Sequence, residues 1–436
     1  MKSLYFSIKE KYLISLFAAT IWLGFSIWLS VPWYHDLSSE IGAFPAYFII
    51  TFIAIVPGGM NTFVVMALFL DRRPKILAEQ RYPPVTILIA AYNEENAIAT
   101  TLSAILQQGY PAHLKIIVIN DGSSDKTLNS IKDLQSGHPN LELIDLKHNG
   151  GKASALNHGL EKCTTDIIIT IDADCYIFKD AIKNLVGRYL SDPVDTKAVA
   201  GVILIRNSRE NWITKAQEWD YFLGINSIKR IQSLFQGTLV AQGAFSLYDR
   251  KMLLAIGGWP EKVGEDIVLT WRILAAGYRV GHAENALAFT DCPNTLIKFI
   301  RQRNRWSRGL IEAFKDNPTI FFKPRFTTLF IWWNALFPIM DIAFTFGFIP
   351  GLILACFGNF WIVGPMTLSL LPMAFLLNWL ISLKGRELFK EQHLTIRNNI
   401  LGFLTYVFLY GLILQPACVY GYFSELLNFR KTWGTK

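Results

Sequence analysis

The chain has 436 residues, 52% of them apolar, and a formal charge of +8. That apolar share exceeds what a soluble protein usually carries, so part of the chain is expected in lipid, and the length accommodates roughly two or three domains. Lys and Arg gather beside the hydrophobic runs, as on cytoplasmic membrane flanks, which argues against nucleic acid as a partner. The five cysteines, Cys163, Cys175, Cys292, Cys356 and Cys418, lack the paired spacing of zinc ribbons or disulfide frameworks and are expected to stay reduced and inert.

Tyr12 to Trp33 is uncharged and ends in aromatic residues, giving about the 20 residues that a helix needs to cross a bilayer. A cleaved signal peptide is the rival reading, but the run is long for one and no small-residue cleavage motif follows. Ile41 to Leu70 is again uncharged, and Pro57-Gly58-Gly59 is expected to kink this second helix. Lys2, Lys9 and Lys11 precede the pair, Arg72, Arg73, Lys75 and Arg81 follow it, and the expected turn holds only His35, Asp36 and Glu40. By the positive-inside rule, the N-terminus and the segment after these two helices (residues 1–75) are cytoplasmic.

Residues 76–293 form the expected cytoplasmic domain, with short β-rich runs alternating with polar helical stretches from about residue 84. The clearest strands are Val85 to Ala91, Lys115 to Asn120, Leu141 to Ile144 and Asp166 to Ile171, separated by helices over Glu95 to Gln108, Ser124 to Gln135 and Lys152 to Lys162. The alternation predicts an α/β, Rossmann-like domain with a mostly parallel sheet, helices on both faces and a ligand site at the carboxyl ends of the strands. Residues 294–325 mix apolar residues with Lys298, Arg301, Arg303, Arg305, Arg308 and Lys315, which suits helices lying in the membrane interface. Residues 326–436 hold about three further spans, near 330 to 355, 362 to 383 and 400 to 423, with Lys384, Arg386, Lys390 and Arg397 in a basic loop before the last. Five spans would put the C-terminus outside, against the pull of Arg430, Lys431 and Lys436.

The groups able to do chemistry fall at strand ends and helix starts. Tyr92, Asn93 and Glu94 end the first strand, offering a ring for stacking on a base beside polar groups for ribose hydroxyls, or ordinary turn chemistry. Asp121 ends the second, where its carboxylate could accept hydrogen bonds from a nucleoside or serve as a helix cap or turn residue. Asp172-Ala173-Asp174 follows the apolar strand, so two carboxylates leave the sheet in position for a hard divalent cation, Mg2+ or Mn2+, shared with substrate phosphates. Gly264-Glu265-Asp266 opens a largely apolar helix: Asp266 is either a helix cap or a general base for an acceptor hydroxyl, and this segment alone does not choose. Gln302, Arg305 and Trp306 share one helical face, as bilayer anchors or as a clamp in which Arg305 holds phosphate and Trp306 supports a sugar ring.

With these motifs in order, the chain resembles the processive family-2 glycosyltransferases of bacterial membranes over roughly residues 84 to 310, and among them most the poly-β-1,6-N-acetylglucosamine synthases. The resemblance implies a GT-A domain inserted between transmembrane α-helices of a multi-pass inner-membrane enzyme. It implies a UDP-sugar donor held by Tyr92, Glu94, Asp121, Lys152, Asp172, Gln302 and Arg305, and Mg2+ or Mn2+ at Asp174 and Asp172. Catalysis would rest on Asp266, as base, and Glu265, with a growing polysaccharide as acceptor near Trp306, Gln242, Gly243, Phe245 and Ser246. The expected mechanism is direct inverting displacement, and because five spans are few to enclose a polymer channel, a small accessory membrane protein is expected to complete the path. A non-processive glycolipid transferase and an inactive membrane scaffold or pore are the alternatives. Two departures stand out: Gly264 replaces a Thr common in the family, and no gating-loop motif or cyclic-dinucleotide domain is found. Asp341, in an expected span, either lines a sugar path or lies near the span's end.

Overall fold

The computed structural model of the protein describes residues 6–72, 76, 81–364 and 398–429, with scattered positions between 372 and 394. About half of the expected span near 362 to 383, and all of the C-terminal Arg430, Lys431 and Lys436, lie outside the described residues. Among the described residues four helices are long and apolar enough to cross a membrane: Ile8–Ile41, Ala43–Leu70, Thr327–Cys356 and Ile400–Leu426.

The first helix starts at a capping box, where Ser7 and Glu10 satisfy each other's backbone amides, and runs unbroken to Ile41. His35, Asp36 and Glu40 therefore form its last turns, and the chain reverses at Gly42, whose φ of 87° suits a residue without a Cβ. In the second helix the irregularity lies one turn before Pro57, as a π-turn over Thr51–Ile55. Pro57 has no N–H to give the carbonyl one turn back, and the wider ladder takes up that mismatch. Gly58 and Gly59 serve packing instead. A Cβ on them would lie 2.6 Å from Trp22 Nε1 and 2.7 Å from Leu23 Cδ2 of the first helix, so those two side chains pack directly onto the bare backbone of the second.

Between the helix pairs lies one eight-stranded sheet: β1 (Val85–Ala91), β2 (Leu114–Asp121), β3 (Leu141–Leu146), β4 (Ile167–Ile171), β5 (Tyr176–Ile177), β6 (Thr196–Ile205), β7 (Phe245–Asp249) and β8 (Arg279–Thr290), in the order β3-β2-β1-β4-β7-β6-β8-β5. The first four strands are parallel. Both their faces are covered, so they are continuous apolar runs: Ile87, Ile89, Ile116 and Val118 pack to one side, Leu88, Ile117 and Ile119 to the other. The sheet is more mixed than the alternation predicts, because β7 runs antiparallel to β4, with Phe245 opposite Ile171 and Ser246 opposite Thr170. That reversal brings the start of β7 to the carboxyl end of β4, where the Asp172 amide donates to Ala244 O at 3.2 Å. After β7 come the helix Glu265–Ala275, β8 and the long helix Leu296–Asp316.

Candidate functional site

The carboxyl ends of β1, β2 and β4, the starts of two helices and the middle of a third form the candidate site. Tyr92, just past β1, is 47% exposed, leaving its ring open to a flat ligand. Its loop is locked to the one after β2: Asn93 adopts a left-handed φ of 54°, its Oδ1 accepts from the Ser124 amide at 2.9 Å, and the Glu94 amide donates to Thr127 Oγ1 at 2.7 Å. Asp121 is buried, with one carboxylate oxygen accepting from the Gly150 amide and the other from the Gly151 amide, each at 2.8 Å. Gly122 lets this loop lie directly on β2's end, since a Cβ there would fall 2.8 Å from the Asn149 amide nitrogen. Asp121 thus pins the turn from which the helix Lys152–Glu161 starts, and so fixes Lys152.

Lys152 is the centre of the charge arrangement. Its ammonium pairs with Asp172 and lies 3.5 Å from Glu265 Oε1. Burial alone would push it down, but Asp172 and Glu265 outweigh burial and hold it above the ordinary lysine range. Gly243 gives way to it, because a Cβ there would lie 2.6 Å from the Lys152 ammonium. Glu265 is pushed up to about 7, first by burial and further by Asp266, against the pull of Lys152.

Asp266 is not the helix cap. The N-cap of Glu265–Ala275 is Gly264, and Asp266 is half-buried in the first turn, with Oδ1 accepting from the Ile267 amide at 2.8 Å. The Gly264 amide is satisfied from another helix, by Glu312 Oε2 at 3.0 Å. In Leu296–Asp316, Gln302 is buried and its Oε1 meets no hydrogen-bond partner among the described residues. Trp306 is 37% exposed, with the buried Arg303 guanidinium 4.2 Å from its ring.

Two expected acceptor residues point elsewhere. Phe245 is completely buried, its ring in the sheet core against Gly201, and Ser246 is completely buried with its hydroxyl donating to Gln242 O at 2.7 Å. Phe245 and Ser246 point to opposite faces of a strand covered on both sides, so both are enclosed, whereas Gln242, just before the strand, is half-buried. Gln242 donates to Gly201 O at 2.6 Å and accepts from Lys229. Lys229 was not legible as a site residue: it stands in an unremarkable helical run, yet it is buried, and burial lowers its ammonium to about 7. Gly309 and Glu312 were likewise missed, although they continue the three-residue steps of Gln302, Arg305 and Trp306 along one helical face.

Asp172 and Asp174 put two carboxylates in one turn after β4. Among the described residues no third His, Cys, Asp or Glu joins them as a metal cage. Two hard oxygen ligands completed by diphosphate oxygens are nonetheless a donor set that magnesium and manganese accept, so the residues fit such an ion.

Residues 86–257 match Glycosyl transferase family 2. The poly-beta-1,6-N-acetyl-D-glucosamine synthase of Staphylococcus aureus is 33% identical over 241 residues, 55% of this chain and 57% of that protein. That of Staphylococcus epidermidis is 34% identical over 231 residues, 53% of this chain and 55% of that protein. The chain therefore spans little more than half the length of these curated relatives. A mannosyltransferase from Pyrobaculum calidifontis, solved in complex with GDP-Man and Mn2+, shares the fold with a TM-score of 0.60, covering 88% of this chain and 99% of that one at 19% identity. Residues 86–257 thus resemble a family-2 glycosyltransferase domain, the mixed sheet has the GT-A fold, and among the described residues the flanking helices are apolar and long enough to cross a membrane.

Proposed function

We propose that the chain is an inverting, processive membrane β-glycosyltransferase that polymerises UDP-N-acetylglucosamine into poly-β-1,6-N-acetylglucosamine and helps export the polymer across the bacterial inner membrane. The observation that carries the reading is the Lys152 bridge, which ties Asp172 at the end of β4 to Glu265, the neighbour of Asp266. A donor diphosphate and an acceptor hydroxyl have to meet between those two ends.

On this reading the uridine stacks on Tyr92 beside Glu94 and Asp121, while Lys152 and Arg305 receive phosphate oxygens and Gln302, whose Oε1 has no hydrogen-bond partner among the described residues, faces the donor. Asp174, with Asp172 beside it, would hold Mg2+ or Mn2+, which when bound neutralises charge on a departing diphosphate. Asp266 takes the proton from the acceptor hydroxyl. The oxygen bonds to the anomeric carbon on the face opposite the diphosphate, the bond to the β-phosphate oxygen breaks, and its electron pair leaves with UDP. An α-linked donor so gives a β-linked product. Trp306 supports the acceptor ring, Gln242 and Gly243 wall its pocket, and the enclosed Phe245 and Ser246 anchor the strand that follows them. Basic residues at the membrane flanks favour a cytoplasmic site, and a small membrane partner completes the polymer path.

The test offers each UDP-sugar in turn to bacterial membranes that carry the chain, reading UDP release, product linkage and product length. UDP-N-acetylglucosamine should give long β-1,6-linked product. Asp266→Asn should lose at least about 10²-fold in turnover while keeping its affinity for UDP. Full turnover in Asp266→Asn, or no turnover with any UDP-sugar, would sink the reading.

A further inference from the structure

We infer that Gly309 and Glu312 are positioning residues that fix Asp266 against the Arg305 and Trp306 side of the site, an inference resting on Asp266 being the base. The glycine at position 264 is where this begins. Its backbone is non-helical, and it offers its own helix no side-chain cap. Its amide is held instead by Glu312 Oε2 at 3.0 Å, which places a carboxylate at the positive end of the Glu265–Ala275 helix. Glu312 is buried, so water does not compete for that bond.

The same two helices touch backbone to backbone one turn earlier. A Cβ at Gly264 would lie 2.5 Å from Gly309 Cα, and one at Gly309 would lie 2.8 Å from Gly264 Cα. No flexible side chain stands between them to yield, so any substituent pushes the helices apart. Further along, Trp271 meets Phe314 edge-on at 5.1 Å, and Arg272 forks onto Asp316 at 2.7 and 3.0 Å. Three rungs thus fasten the helix that carries Asp266 to the helix that carries the clamp. Asp266 lies two residues past Gly264, while Arg305 and Trp306 lie about one turn before Gly309. The first rung is the one nearest both, and it sets their offset. A hydroxyl before Glu-Asp has no place in this chain, because the Gly309 backbone fills it.

A displacement of about 1 Å at a reacting group costs on the order of 10²-fold in rate. Glu312→Leu in the full chain should therefore lower kcat by about 10²-fold, with KM for the UDP-sugar and affinity for UDP unchanged within about twofold. Glu312→Gln keeps an oxygen able to accept from Gly264 and should recover most of that loss. Gly309→Ala, which leaves Glu312 intact, should lower kcat in the same direction with UDP binding retained, giving a second reading if Glu312→Leu does not fold. The inference is overturned if Glu312→Leu and Gly309→Ala keep wild-type kcat, if their kcat loss is matched by an equal loss of UDP affinity, or if Glu312→Gln is as impaired as Glu312→Leu. An inactive wild type, or a fully active Asp266→Asn, would instead remove the assignment of the base.

Discussion

Burial pushes the Glu265 carboxyl from an ordinary 4.5 up to about 7, Lys152 pulls against it, and Asp266 adds to the rise. Asp172, Glu265 and Asp266 there act on the Lys152 ammonium, and the field of Arg305 also reaches Glu265. The sign follows from linkage. A carboxyl with a folded value above its unfolded one contributes stability that is fully present below about 4.5 and lost as pH rises through about 7. Glu265→Gln removes that slope. The ligand-free variant should gain stability on wild type between pH 5 and pH 8 by an amount on the order of 1–3 kcal/mol, read as a rise of its thermal midpoint relative to wild type. A midpoint difference that stayed constant across that window would contradict it. The acids of this cluster are legible in sequence because strand ends and helix starts announce them. Lys152 as their shared counter-ion is not, since it joins groups 20 and 113 positions away, across a helix and a sheet whose order only the fold supplies.

The helix Leu296–Asp316 is held to the rest of the domain by a buried charge pair, which the last membrane helix also touches. The Arg303 guanidinium lies 2.9 Å from Asp220 Oδ2, which also accepts from the Tyr410 hydroxyl at 2.9 Å, and Arg303 stacks on Phe299 and Trp306 at 4.9 and 4.2 Å. A Cβ at Gly421 would lie 2.6 Å from Asn304 O, so the helix also rests on the bare backbone of Ile400–Leu426. Removing one member of a buried ion pair leaves the other uncompensated and costs about 3–5 kcal/mol, whereas replacing both with apolar residues is often neutral. Asp220→Ala should therefore lower the thermal midpoint sharply. The Arg303→Met/Asp220→Leu double variant should regain most of it, yet still raise KM for the acceptor, because Trp306 has lost the cation beneath its ring. A double variant as unstable as Asp220→Ala, or one with unchanged acceptor KM, would refute this account. Amphipathic spacing makes this helix visible in sequence, and Arg with Trp fits an interfacial anchor equally well. What decides the function of Arg303 is Asp220, 83 positions earlier at the start of a π-turn, and neither the turn nor the pairing leaves a local pattern. The reversed β7 is hidden for a related reason: Phe245–Asp249 reads as the same buried strand in either direction, and only the connection from β6 sets its sense.

The sheet domain and the membrane helices share one core. Phe235, from the domain, packs at 5.6 Å from Phe63 of the second helix, 5.3 Å from Tyr12 of the first and 6.2 Å from Phe330 of the third, while Phe63 meets Trp333 at 5.2 Å. Phe63, Phe235 and Phe330 are among the largest completely buried side chains in the protein. A second tie lies beside them, where Arg230 Nε pairs with the buried Asp71 at the end of the second helix at 2.6 Å and Arg230 also reaches Glu284 at 2.7 Å. Burying one such ring stabilises by roughly 1.5–3 kcal/mol, so the three together approach the roughly 5–15 kcal/mol that holds a whole domain folded. A fragment of residues 81–325, which keeps the helix Leu296–Asp316 but is cut free of the membrane helices, would keep its sheet pattern but expose Phe235 and leave Arg230 without Asp71. It should bind an apolar dye, unfold without a cooperative transition and fail to bind UDP, while the full chain in detergent does the opposite. A fragment that melted cooperatively and bound UDP as the full chain does would show that the helices merely tether the domain. If the fragment fails as expected, the membrane helices are part of the folding unit that shapes the site, and substitutions at Phe63 or Phe330 should weaken UDP binding although neither residue lies in the candidate site.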